Sequence, residues 1–243
     1  MASFITPSTP AFTFASARSP RHDQPCCISG YSFHTISEPR ADALNAIATL
    51  SADNKNKAGF WAEVNLRKVL VEAADAEQLE NAREPAIRAL ANLASDASNK
   101  AGMWAEDAVR LAITAAGADG QPAKIREAAV TAIAALATED TLRQAIWADA
   151  EGARAALIGG AAVGQPDQTR EQALRALADL SVRNAREMWA DAAGARAVLS
   201  AAAAAGQPEW HRVFAQRALA ACPLDERTHT GCPFWVEKIP MAY

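Results

Sequence analysis

Cys222, His229 and Cys232 stand close together near the C-terminal end, in the pattern C-x6-H-x2-C. Thiolates and imidazoles are what a zinc ion takes, but a closed structural site needs four ligands, usually with two in a CxxC-type pair. No fourth ligand and no CxxC stands nearby, so the segment reads as a plain cap and not as a metal site. Four cysteines, Cys26 and Cys27 included, are too few for a disulfide framework in a chain of 243 residues. The other histidines are scattered, with His22 and His34 near the start and His211 near the end. HExxH, GxSxG and Walker patterns are missing, and no nucleophile has a base and an acid in recognisable spacing. These residues predict no catalytic centre, no metal and no cofactor. What remains is a set of tryptophans at even spacing and a set of arginines, and their meaning depends on the elements that carry them.

Half of the residues are hydrophobic, yet aromatics make up only 6%. Alanine dominates, and it combines the best helix propensity with a small side chain suited to close helix contacts. The composition points to an all-helical protein. The net charge of −4 favours neither nucleic acid nor an anionic membrane as partner. No run of 18 apolar residues is free of charge, so no membrane span is expected.

The chain repeats itself. Residues 146–166 read IWADAEGARAALIGGAAVGQP and residues 188–208 read MWADAAGARAVLSAAAAAGQP, with fourteen positions identical. A doublet of an apolar residue and Trp recurs at Trp61, Trp104, Trp147, Trp189 and Trp235. The steps between them are 43, 43, 42 and 46 residues, the period of helical solenoids. Gly-Gln-Pro recurs at 120–122, 164–166 and 206–208. Glycine stops one helix and proline opens the next, so this triplet marks a corner and not a phosphate loop. After each corner comes a long amphipathic stretch such as 125–137 or 170–181, with apolar residues at three- and four-residue steps. Each unit therefore has a short helix with the Trp doublet, a medium helix and a long one. The simplest role for a Trp fixed in every unit is packing between neighbours, the other reading being a row for ligand stacking. Trp210 stands outside that pattern and is a candidate partner contact.

The stretch PAIRALANLASDASNKAGMW at 85–104 resembles the armadillo consensus, through Leu90, Asn92, Leu93, Ala94 and Asn99. The resemblance covers about residues 38–221 and implies a right-handed α-solenoid of four to five three-helix repeats. Armadillo proteins bind extended segments along a groove lined by third helices. The family's backbone-clamping Asn position falls on Thr49, Asn92, Ala135, Asp179 and Ala221. Its pocket-forming Trp position, one helical turn earlier, falls on Asn45, Arg88, Thr131, Arg175 and Arg217. Only Asn92 keeps the Asn and no Trp is kept, so nuclear-import signals are not the expected ligand. Arg88, Arg175 and Arg217 instead imply an acidic or phosphorylated segment. The alternative is that these arginines pair locally, as Arg175 could with Asp179.

Residues 1–37 hold eleven Ser or Thr and a single acid, Asp23, a composition resembling a chloroplast transit peptide or else a retained arm. The expected organisation is a tail over 1–37, repeats over 38–221 and a cap or partial repeat over 222–243. The expected function is a non-enzymatic protein-binding or scaffold subunit within a larger complex. Two alternatives remain. One is a structural or linker subunit of a plastid supercomplex, such as a photosynthetic one; the expected location is the plastid if the tail is a transit peptide and the cytoplasm if it is not. The other is a bilin-lyase-like or regulatory enzyme subunit, since those lyases share helical repeats.

Overall fold

The computed structural model describes residues 34–221. Residues 1–33 of the tail, the 222–243 cap, Trp235 and the Cys222, His229 and Cys232 group lie outside them, whereas residues 34–37, expected in the tail, form the first turn of a helix. The described residues are helical throughout, without strands. One helix, α1 (His34–Leu50), leads four triplets. The second unit is α2 (Asn54–Ala62), α3 (Val64–Ala74) and α4 (Glu80–Ala94). The third is α5 (Ala97–Ala105), α6 (Asp107–Ala116) and α7 (Ala123–Ala137). The fourth opens with a 3-10 turn (Asp140–Leu142) and α8 (Arg143–Ala148), followed by α9 (Ala153–Ala161) and α10 (Asp167–Ala190). The last unit ends with α11 (Ala195–Ala203) and α12 (Glu209–Ala220). Its short first helix is the end of α10, set off by a kink at Asn184, where φ is −126° and ψ is 24°. The leading helix thus stands as the third helix of a first unit.

The corners follow from residue type. Gly120, Gly164 and Gly206 have φ of 86°, 95° and 87°, a left-handed backbone open to glycine at no steric cost. Pro122, Pro166 and Pro208 then sit at the N-caps of α7, α10 and α12, where a missing N–H costs nothing. The third helices α4, α7 and α10 form the spine, with Leu90, Ile133 and Leu177 fully buried. Alanines fill the narrow spaces between units. At Gly160 even a Cβ would come within 3.1 Å of Val130 and 3.3 Å of Ala173.

Polar ladders run across the unit boundaries. Arg83 Nη2 donates to Gln121 Oε1 at 2.8 Å and Arg170 Nη2 to Gln207 Oε1 at 3.0 Å. Arg126 bonds Gln165 in the same way, and Arg40 reaches Gln78 at 3.4 Å. The glutamine of each corner is therefore the acceptor for an arginine of the preceding unit. Arg212 stands next in this register, and among the described residues it has no acceptor. On the short helices, buried Lys57 Nζ donates to Ser95 Oγ at 2.6 Å and Lys100 Nζ to Thr138 Oγ1 at 2.5 Å.

The tryptophans lie between the short helix and the medium one, and the Trp61 indole also packs against the next unit, where a Cβ at Gly102 would come within 3.1 Å of its Nε1. Trp104, Trp147 and Trp189 are buried and Trp61 is half-buried. Each lies under an arginine: Arg67 is 4.8 Å, Arg110 5.8 Å, Arg154 5.0 Å and Arg196 5.3 Å from the ring centre. In the last two units the link between these helices contains Asp149 or Asp191. Asp149 Oδ2 accepts from the Ala153 N–H at 2.9 Å, and Asp191 accepts from Gly194 and Ala195 at 3.1 and 3.0 Å. Each carboxylate thereby satisfies a helix-start donor that has no partner within the helix. Asp149→Ala should cost about 1 kcal/mol, read from urea denaturation. No loss of stability in that variant would show that the cap is idle.

Arg183 grips both carboxylate oxygens of Asp140, linking the starts of two successive short helices. That hydrogen bonding holds the Asp140 carboxyl below the usual carboxylate range. A lowered folded-state pKa contributes stability above the unfolded value, and the contribution is lost as pH falls through the folded value. An NMR titration should therefore place Asp140 below ordinary aspartates, and Arg183→Ala should bring it back up. An Asp140 midpoint that Arg183→Ala leaves in place would refute the pairing.

Candidate protein-binding groove

The third helices α1, α4, α7, α10 and α12 lie side by side, the arrangement that lines the binding groove in armadillo proteins. Positions Asn45, Arg88, Thr131, Arg175 and Arg217 fall in one row, and Thr49, Asn92, Ala135, Asp179 and Ala221 in the next, one helical turn on. The structure shows how each is engaged.

At the N-terminal end the helices are laced together. Arg88 Nη1 bonds Glu84 Oε1 at 2.5 Å, one turn earlier, and its Nη2 donates to Asn45 Oδ1 on α1 at 2.9 Å. Asn92 Nδ2 reaches back to the Ala48 carbonyl at 2.9 Å and to Ser51 Oγ at 3.1 Å. Its amide N–H groups are thus spent between units. Thr49 Oγ1 donates to the Asn45 carbonyl within its own helix at 2.9 Å. At the C-terminal end Arg217 Nη2 donates to Asp179 Oδ1 at 3.1 Å across the α10–α12 boundary. Both Arg88 and Arg217 stay substantially exposed, with side chains 42% and 53% accessible, so these pairs contribute little to stability.

The middle differs. Thr131 Oγ1 turns to the Glu127 carbonyl of its own helix, 2.8 Å away, and Ala135 has no polar group. Arg175 is half-buried, and among the described residues it has neither a hydrogen bond nor an ion pair. It does not bond Asp179, which takes Arg217 from the next unit instead. The side chains of Glu127 and Glu171, each one turn before the arginine row, are likewise without a bond among the described residues. The acidic row Glu84, Glu127 and Glu171 escaped the sequence reading, although its four-residue offset from the arginine row was there to be read. With Asp179, four carboxylates flank the three arginines.

Among the described residues no group of three or more His, Cys, Asp or Glu is placed to hold a metal ion. None of the described helices is long and apolar enough to cross a membrane.

Comparison with protein-family models and with curated proteins finds no match. Solved structures do match. Two designed armadillo repeat proteins, one of them made for modular peptide recognition, superpose with TM-scores of 0.65 and 0.66. Each is 22% identical, over 80% of this chain and 79% of theirs. A third, a designed armadillo repeat protein in complex with the peptide (KR)4, superposes with a TM-score of 0.63 at 22% identity, over 80% of this chain and 78% of its own. Triplet helices, a third-helix spine and these superpositions lead to one conclusion: the fold of this chain is the armadillo α-solenoid.

Proposed function

We propose that the chain is a non-enzymatic protein-binding scaffold that holds an extended segment of a partner across its third helices. The observation that carries this reading is the division of the groove. Its ends are laced by Asn45–Arg88, Ser51–Asn92 and Asp179–Arg217, whereas Glu127, Glu171 and Arg175 in the middle keep unspent charge. Half-buried charged groups without partners favour a ligand that supplies them. One designed protein of the same fold was made for modular peptide recognition and another is in complex with the peptide (KR)4, which supports a peptide segment as ligand.

The local geometry reshapes the expected ligand. Two of the three arginines are already paired with carboxylates, so a purely acidic segment meets one free guanidinium and two free carboxylates. A segment of mixed charge fits better, with basic side chains opposite Glu127 and Glu171 and a single carboxylate or phosphate at Arg175. A photo-crosslinking residue at Thr131 should capture the partner, whereas one at exposed Ala115 on α6 should not. Arg175→Glu should weaken binding, and the difference should shrink in high salt. Crosslinks from position 115 alone would place the partner elsewhere. A plastid location rests on the composition of residues 1–37, and N-terminal sequencing of the native protein tests it. A mature terminus near residue 35 supports a transit peptide, and an intact Met1 a retained arm.

A further inference from the structure

The groove changes character at its last helix. One stripe of the third helices carries Asn81, Glu84 and Arg88 on α4, then Lys124, Glu127 and Thr131 on α7, then Gln168, Glu171 and Arg175 on α10. Residues at i, i+3 and i+7 share a helix face, so each trio forms one stripe. The same register on α12 holds Trp210, Val213 and Arg217. Trp210 is 67% and Val213 45% exposed. The bond from Arg217 to Asp179 fixes where this stripe faces, beside the groove rows of α10. Stacking of repeats does not explain the tryptophan. Its counterparts Asn81, Lys124 and Gln168 are all exposed, although each has a further unit stacked behind it.

We infer that Trp210 and Val213 form an apolar anchor site at the C-terminal end of the groove, and that it takes a bulky apolar side chain of the same extended segment. This rests on the groove reading above and specifies its ligand. The free carboxylates of Glu127 and Glu171 select basic side chains in the middle of the segment. An exposed indole next to a branched aliphatic residue supplies the desolvated contact that such charges lack. Aromatic anchors of this kind carry a large share of binding energy, while rim charges govern specificity and rate of encounter. Neighbouring packed helices lie about 8–10 Å apart and an extended chain advances about 3.3 Å per residue, so one unit spans about three residues. The apolar residue should then fall about three residues beyond the side chain that meets Glu171.

Fluorescein-labelled ten-residue peptides test this by anisotropy. One has lysines in its first six positions, interspersed with alanine, and Leu-Phe in its last four. A second replaces Leu-Phe by Ser-Ser, a third replaces Lys by Glu, and each is also made in reverse order. The Lys/Leu-Phe peptide should bind best in one of its orders. Trp210→Ser should weaken it about fivefold or more and leave the Ser-Ser peptide unchanged. Glu127→Gln with Glu171→Gln should weaken both. If the charge variants act but Trp210→Ser changes nothing, the anchor is refuted and the groove stands. If no peptide binds and no variant matters, both readings fail. If Trp210→Ser lowers the melting temperature and opens residues 222–243 to protease, those residues cover the indole and the anchor is refuted.

Discussion

Trp147→Ala should lower the free energy of unfolding by about 3–5 kcal/mol, the largest effect expected of any substitution considered. The indole is 4% exposed in a helix of only six residues. Arg154 lies 5.0 Å from its ring centre, so truncation also removes a cation–π contact. Too short to be stable alone, α8 depends on this anchor to stay against α9. Repeat arrays are held by contacts between neighbours, so weakness in the fourth unit should loosen the stack between the third unit and the last. Hydrogen exchange should accelerate first over residues 140–183 and less at α4. Trp61→Ala, at a half-buried site in the second unit, should cost less. A loss below about 1 kcal/mol at Trp147 would mean that the indole is not what holds the short helix.

Asn99→Ala should cost about 2 kcal/mol in urea denaturation. Asn99 is 2% exposed and donates to the carbonyls of Lys57 at 3.2 Å and Leu93 at 3.1 Å. It ties a short helix both to its own preceding third helix and to the short helix of the unit before. Asn184 repeats the arrangement, bonding the carbonyls of Arg143 at 3.2 Å and Leu180 at 2.9 Å. The fourth unit shows what replacement requires. Leu142 takes the Asn place there, and Arg143 Nε bonds the Ala137 carbonyl at 3.1 Å instead. Lys100, the counterpart of Arg143, is already engaged with Thr138 and cannot substitute in that way. Asn99→Asp should be worse than alanine, since it exchanges a donor for a buried carboxylate. Wild-type stability in Asn99→Ala would show that water or relaxation satisfies those carbonyls.

The solenoid was legible because its signals are local and repeated. Gly120 and Pro122 mark a corner by residue type alone, and the Trp doublets give the period without any knowledge of contacts. The groove was less legible because its partners are far apart in sequence. Arg88 meets Asn45 at a separation of 43 residues, and Arg217 meets Asp179 at 38. Reading each helix by itself suggested Arg175 with Asp179, four residues on. The next unit offered that carboxylate a cross-boundary arginine, and Arg175 was left without it. A similar offset, between 37 and 39 residues, joins Arg83, Arg126 and Arg170 to their glutamines. That regularity was visible in the sequence but needed the stacking direction before it could be interpreted. The arginines over the tryptophans were missed for a related reason. Their offset from Trp is six residues in two units and seven in the other two, because the linking loop lengthens.

The arginine–glutamine ladder bears on how such a chain changes length over generations. A segment running from one Gly-Gln-Pro to the next carries a glutamine at its leading edge and, five residues on, the arginine that the following segment requires. Each copy is thus a plug at one side and a socket at the other. Duplication or loss of a whole segment leaves every remaining pair matched, with no compensating substitution elsewhere. The stretches at 146–166 and 188–208, with fourteen positions identical, are two such interchangeable copies side by side.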